Sequence, residues 1–200
     1  MNLGCFLLLL CTVSASTLLL TTGVFEHIDT DGFSKVDLSE YTDVIVAFDT
    51  AILNSDDARA LIQFVESGGR LVLVGGSSSN TFLATLSKLI SIETPFWRDV
   101  DAEISIWDED CALTTFLQDT TIITNDHSFT IFGVPEDPFA RVCLRDKFGV
   151  SAAVAKACGK GVVSYISLQP DRRFYQSSSS QTFLRHLLSN ALLIFPHQAH

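Results

Sequence analysis

Gly68-Gly69-Arg70-Leu71-Val72-Leu73-Val74-Gly75-Gly76-Ser77-Ser78-Ser79-Asn80 is the stretch that decides the fold. The run 70–74 lies between two glycine pairs and is too short for a helix. It is apolar on both faces, so it reads as a buried strand of a parallel sheet. Upstream, Ala58, Leu61, Ile62 and Val65 fall at i, i+3, i+4 and i+7, one apolar stripe of an amphipathic helix. Asn54 is its N-cap, and Asp56 and Asp57 sit in the first turn, where the helix dipole favours negative charge. Gly68-Gly69 stops it. Before the helix, Val44-Ile45-Val46-Ala47-Phe48 reads as a second buried strand. Strand, helix, strand is a βαβ unit, and the turn at its exit, Gly75-Gly76-Ser77, lies where such folds bind ligands.

Working outward, residues 17–23 read as a first strand and 24–41 as irregular. Phe82, Leu83, Leu86, Leu89 and Ile90 mark a second amphipathic helix. Residues 102–107 and 120–124 read as short strands, and 125–135 as a loop with aromatic anchors. Segments 140–144, 152–158 and 162–168 read as strands joined by Lys147-Phe148-Gly149 and Gly159-Lys160-Gly161. Phe183, Leu184, Leu187, Leu188, Ala191, Leu192 and Phe195 signal a last helix, capped by the serines at 177–180, with His197 and His200 in a frayed tail. The expected fold is α/β, a flavodoxin-like three-layer sandwich with a mainly parallel sheet and a C-terminal antiparallel strand extension. No linker or repeat divides it, so residues 17–200 are expected to form one domain.

An apolar fraction of 47% and a charged fraction of 18% over 200 residues describe a folded chain. Its net charge of −10 repels phosphate backbones and anionic lipid heads, which argues against nucleic acid and membrane-surface partners. No Cys or His spacing resembles a zinc site, and no cofactor is expected. Residues 1–16 carry no charged side chain and hold an apolar core at 3–13. Val13-Ser14-Ala15 and Ser14-Ala15-Ser16 each supply small residues for cleavage, although no Lys or Arg precedes the core. Residues 1–16 are therefore read as a signal peptide, and the protein as secreted or lumenal, free of the membrane once cleaved.

Removing the leader leaves Cys111, Cys143 and Cys158. Cys143 and Cys158 lie on segments that read as paired strands flanking 146–151. In an oxidising compartment a Cys143–Cys158 disulfide with Cys111 free is expected; the alternative is three small buried hydrophobes.

Residues 43–48, the helix, and the run from Phe64 through Gly76 together resemble class I glutamine amidotransferase-like domains. Within that superfamily they are most similar to the non-glutaminase branch that includes trehalose-utilisation-like proteins. Asp126-His127 through Gly133-Val134-Pro135, and Gly159-Lys160-Gly161 through Leu168, agree in order. Working members of the family carry a cysteine nucleophile on the strand-to-helix elbow and a His-Pro-Glu after a late strand. Here Gly76 stands near the cysteine position, and Gln169-Pro170-Asp171 stands where His-Pro-Glu would be. The resemblance thus implies a cleft that binds rather than reacts. Asp49, Gly75, Gly76, Ser77, Gln169, Asp171 and Arg172 form the candidate ligand site, with Arg173 beside them. Two arginines and serine hydroxyls suit a small polar, anionic or carbohydrate ligand, or a protein partner; equally, the arginines can pair with surface carboxylates.

The alternative function is a serine hydrolase. Gly75-Gly76-Ser77-Ser78-Ser79 half-matches Gly-x-Ser-x-Gly, with Ser77 as nucleophile and His127 or His27 as its base. The plainer account of those serines is a turn that caps the following helix.

Overall fold

The computed structural model describes residues 17–21, 37–47, 54–75, 86, 89, 98–99, 103–115, 117, 129–132, 137–170 and 176–199. Helix α1, Ser55–Ser67, starts where Asn54 caps it. The Asn54 Oδ1 accepts from the N–H groups of Asp56 and Asp57 at 2.7 and 3.1 Å, and Asp57 Oδ2 accepts from the Asn54 N–H at 2.9 Å. These bonds satisfy donors that the first helical turn leaves open. The helix ends at Gly68, whose φ of 124° suits a residue without a Cβ. There the Gly68 and Gly69 N–H groups close onto the Val65 and Phe64 carbonyls, each at 3.0 Å.

Strands β2, Asp43–Ala47, and β3, Arg70–Val74, flank α1 as the sequence implies. The other strands are β1, Thr17–Thr21; β4, Arg98–Asp99; β5, Ile104–Ile106; β6, Phe129–Phe132; β7, Arg141–Asp146; β8, Ser151–Cys158; β9, Gly161–Ile166; and β10, Leu168–Pro170. Seven of them form the main sheet, in the order β1-β2-β3-β9-β8-β7-β5. Strands alternate their faces, and the two faces are covered differently. Val44, Val46, Leu71, Leu73, Val163 and Tyr165 pack with Ala58, Leu61, Phe64 and Val65 of α1 and with the helical Leu86 and Leu89. Ile45, Val72, Val74, Val162 and Ile166 pack with Phe183, Leu184, Leu187 and Leu188 of α2, Ser178–Ala191. The three layers are those expected, and the Ser177 hydroxyl caps α2 by accepting from the Ser180 N–H at 3.2 Å.

The balance of the sheet is not as expected. The pairs β1–β2, β2–β3 and β3–β9 are parallel, whereas β9–β8, β8–β7 and β7–β5 are antiparallel. The sheet is therefore mixed rather than mainly parallel. The cause is connection length. Only Gly159 and Lys160 separate β8 from β9, and only 147–150 separate β7 from β8. Such turns join antiparallel neighbours alone, since a parallel pair needs a crossover of a dozen residues or more.

Two further expectations change. The loop read at 125–135 contains β6, which pairs antiparallel with both β10 and β4 in a second, three-stranded sheet. The C-terminal segment is docked rather than frayed: α2 stops at Ala191, but Ile194 and Ala199 are buried while Phe195 and His197 stay exposed. The strand read at 120–124 lies outside the described residues.

The disulfide joins Cys111 to Cys143, with a Cα–Cα distance of 5.5 Å, and Cys158 is free. This corrects the expected Cys143–Cys158 bridge. Cys143 lies three residues before Asp146, whereas Cys158 lies seven after Ser151, so the hairpin does not bring them opposite each other. Register pairs Val142 with Val154 and Leu144 with Ala153, leaving Cys158 opposite Gly161 of β9. Cys111 instead reaches Cys143 from the corner after β5, where the Trp107 N–H bonds to the Cys143 carbonyl at 2.9 Å.

Candidate functional site

The three internal parallel strands end in register, with Ala47, Val74 and Ile166 side by side. Their exits therefore leave the sheet at one edge, the carboxyl edge, where open α/β sheets hold ligands. Gly75 begins the exit from β3. It is buried, has φ 86°, and donates its N–H to the Ile166 carbonyl at 2.8 Å. That left-handed backbone turns the chain sharply, and glycine adopts it without a Cβ clash.

Beside it, β9 stops because Ser167 is held by the neighbouring strand. Both its N–H and its hydroxyl donate to the Ala152 carbonyl, at 2.9 and 3.0 Å. The chain then changes partner, and β10 pairs with β6, Gln169 opposite Thr130. Gly75 and Gln169, chosen from the sequence as neighbours in a cleft, thus sit on adjacent exits of one edge. Asp49, Gly76, Ser77, His127, Asp171 and Arg172 lie outside the described residues, as do His27 and Arg173.

One feature of this edge was not singled out from the sequence. Because β8 runs antiparallel to β9, the β7–β8 turn projects at the same edge, next to Ser167. The buried Asp146 builds this turn: its Oδ1 accepts from the Phe148 and Val150 N–H groups at 2.9 and 2.7 Å. Gly149, at φ 83°, donates to the Asp146 carbonyl at 3.0 Å. The Phe148 ring is left 65% exposed, with Lys147 Nζ 5.3 Å from its centroid. The available signal was an Asp followed three residues later by Gly, a turn pattern that puts whatever lies between them at the tip.

A shallow groove of about 420 Å³ lies elsewhere, lined by Asp37, Leu38 and Ser39 and by Ala60, Gln63, Phe64 and Ser67 of α1. Leu38–Glu40 precedes the start of β2, and Ser67 precedes the start of β3, so the groove belongs to the opposite edge. Asp37 is no free acid there. Hydrogen bonds from the Ser39 hydroxyl and N–H hold its carboxyl below the usual range. The free thiol of Cys158 is pushed up by burial, and its Sγ lies 3.5 Å from the Leu89 carbonyl. Among the described residues no cluster of three or more His, Cys, Asp or Glu side chains is placed to hold a metal ion.

With that geometry in hand, the chain resembles several solved structures in fold. The cytoplasmic protein STM3548 from Salmonella typhimurium superposes with a TM-score of 0.61 at 12% identity, over 79% of this chain and 73% of that one. A protein from Bacteroides uniformis described as ThuA-like gives a TM-score of 0.59 at 13% identity, over 88% of both chains. The cytoplasmic protein STM1381 from Salmonella typhimurium LT2 gives 0.55 at 12% identity, over 74% and 71%. No family model matches the sequence, and no curated protein does. At such identities the likeness is one of fold: an α/β domain of the kind seen in a ThuA-like protein.

Proposed function

We propose that this is a non-catalytic binding module of the amidotransferase-like type, with a carboxyl-edge cleft for a small polar, anionic or carbohydrate ligand. One observation carries it. Gly75 and the Ser167–Gln169 segment leave β3 and β9 side by side, on the edge where working relatives would assemble a nucleophile and its base. The residues at those positions are Gly76 and Gln169, and neither has a thiol or an imidazole. Without an oriented base, a serine hydroxyl at Ser77 stays a weak nucleophile; such a base contributes about 10²–10⁴-fold. Lys147 and Phe148 at the adjoining turn add a cation and an aromatic face to the same edge.

The module is read as secreted. The disulfide supports this, since such bonds persist in oxidising compartments. Cleavage after Ala15 or Ser16 also leaves β1, which begins at Thr17, whole. No helix among the described residues is long and apolar enough to cross a membrane.

The test is thermal denaturation with inorganic phosphate, citrate or methyl glucoside, run beside an ester-hydrolysis assay with p-nitrophenyl acetate. At least one of the three raises Tm with concentration, as mass action requires of anything that binds only the folded state. Arg172→Ala or Asp171→Ala reduces that rise. Ester turnover by the wild type that Ser77→Ala abolishes would sink the proposal in favour of a serine hydrolase.

A further inference from the structure

At the far edge of the main sheet the chain turns a corner after β5, and this corner is braced from both β7 and α2. The Trp107 N–H bonds to the Cys143 carbonyl at 2.9 Å, and the disulfide ties Cys111 to the same residue. Arg141 Nε holds Asp108 Oδ2 at 2.6 Å. From α2, the buried Asn190 donates through Nδ2 to the Leu113 and Thr115 carbonyls at 2.9 and 2.7 Å. Yet this fixed corner displays its largest apolar side chain outward, with Trp107 62% exposed. One face of the indole is already covered, because the Arg145 guanidinium sits 4.4 Å from the ring centroid. Arg145 is itself anchored by a bond to the Gly149 carbonyl. What remains exposed is therefore the opposite face and the ring edges.

We infer that the open face of Trp107, backed by Arg145, is a stacking platform for a pyranose ring of a carbohydrate, set apart from the Gly75 exit of the carboxyl edge. A pyranose offers a flat face of C–H groups rimmed by hydroxyls, so it needs an apolar plate of one ring's size with polar groups beside it. Trp107 supplies the plate. The exposed carboxylates of Glu109 and Asp110, and the half-buried Asp108–Arg141 pair, supply donors and acceptors in the same corner. The bracing means that little conformational entropy is lost when a ligand docks.

A protein partner fits less well. A stable protein interface covers about 800 Å² on each side, far more than one indole. Of the other exposed rings, Phe139 and Phe148 lie beyond opposite ends of β7, and Phe195 stacks on His197. Strand β5 is three residues long, too short an edge to template an added strand. The platform also lies away from the β3 exit, while Arg145 ties it to the β7–β8 turn at the carboxyl edge. Four strand spacings separate β5 from β3, about 19 Å at about 4.8 Å each.

The experiment titrates the full-length secreted protein with cellohexaose, chitohexaose, mannohexaose and maltohexaose, following the indole N–H resonances by NMR. Trp107→Phe assigns the Trp107 signal against that of Trp97. At least one hexasaccharide is expected to shift the Trp107 signal at millimolar concentration, and Trp107→Ala to weaken its binding more than tenfold. Trp107→Tyr keeps part of the affinity. The inference is overturned if none of the four shifts that resonance, or if Trp107→Ala binds as well as the wild type. It is overturned equally if Trp107→Ala dissociates an oligomer, which would make the indole a contact between copies.

Discussion

Where β3 and β9 begin, backbone meets backbone. A Cβ on Gly161 would lie 2.2 Å from the Gly69 carbonyl oxygen and 2.3 Å from that of Val65; one on Gly159 would lie 2.7 Å from the Glu66 Cα. The β8–β9 turn is thus pressed against the carboxyl end of α1, and the Lys160 and Val162 N–H groups bond to the Glu66 and Gly69 carbonyls at 3.2 Å each. Where β7 meets β5, side chains make the joins. A disulfide, the Arg141–Asp108 pair and the Asp146 turn hold that side, and Lys156 reaches the buried Asp137 at 2.6 Å. The parallel half has a side-chain link of its own, the Arg70–Asp43 pair between β3 and β2, but close packing of glycines is what sets it apart; in the antiparallel half cross-links between side chains recur. The first arrangement tolerates no added atom, while the second fails when a link is cut.

Cutting the disulfide is the strongest test of that contrast. Its cysteines are 32 residues apart, and closing a loop of that size stabilises a fold by about 3–4 kcal/mol in the chain-entropy model. The double variant Cys111→Ala/Cys143→Ala should lose about that much in urea denaturation. Hydrogen exchange should quicken in β5 and β7 well before β2 and β3. Equal quickening in both halves would show that they unfold as one unit and break the comparison. Peptide mapping of the oxidised protein should recover a Cys111–Cys143 link and one thiol, Cys158. Burial raises the pKa of that thiol, so it stays protonated at neutral pH and alkylates slowly there.

A matched pair of glycine substitutions probes the other half. Gly161→Ala drives a methyl group into backbone that cannot move aside, and overpacking of this kind costs about 3 kcal/mol. Gly149→Ala is the control in the antiparallel half. Its Cβ meets nothing within 4 Å, so only the left-handed backbone at φ +83° opposes it, for about 1 kcal/mol. Thermal denaturation of the two proteins ranks them. A Gly149→Ala loss as large as that of Gly161→Ala would remove the distinction between crowding and backbone strain.

The same contrast explains what could be read from the sequence. The parallel half announces itself because its rules are local. Asn54 caps α1, Gly68 ends it, and 70–74 is apolar on both faces, so β2, α1 and β3 emerge within a residue of their observed limits. Gly75 and Gln169 could be assigned to one edge because parallel strands share their exits. The antiparallel half depends on register, which is set by turns and by the irregularities between Val142 and Arg145. No hydrophobic pattern encodes that register, so the disulfide partner of Cys143 was misassigned. Strand β6 was hidden for another reason: Asn125-Asp126-His127-Ser128 before it, and Gly133 with Pro135 after it, give so short a run the look of a loop. The corner at Trp107 is invisible in one dimension, since Asn190 and Cys143, which brace it, lie far along the chain.

The smallest effect expected concerns acid. Asp108 is held below the ordinary carboxylate range, chiefly by its hydrogen bond from Arg141, with lesser help from the Asp110 and Cys111 N–H groups and against the opposing effect of burial. Arg141 is raised in turn by the same bond. A carboxylate whose folded pKa is depressed stabilises the fold at any pH above its unfolded value, close to 3.8. That contribution fades as pH falls from there through the lower folded pKa, where the group takes up its proton. Arg141 stays charged throughout, so it adds no titration of its own in that window. As pH falls from neutrality into the acid range, stability should therefore fall more steeply for the wild type than for Asp108→Asn, the two curves converging once the pH is below the folded pKa. Both partners are partly exposed, which keeps the difference to about 1 kcal/mol or less. If the corner owes its rigidity to this pair as well as to the disulfide, the acid-sensitive loss should be larger in Cys111→Ala/Cys143→Ala than in the oxidised protein. Identical acid losses with and without the disulfide would mean that the two braces act independently, and that the antiparallel half is held by separate links rather than by a coupled set.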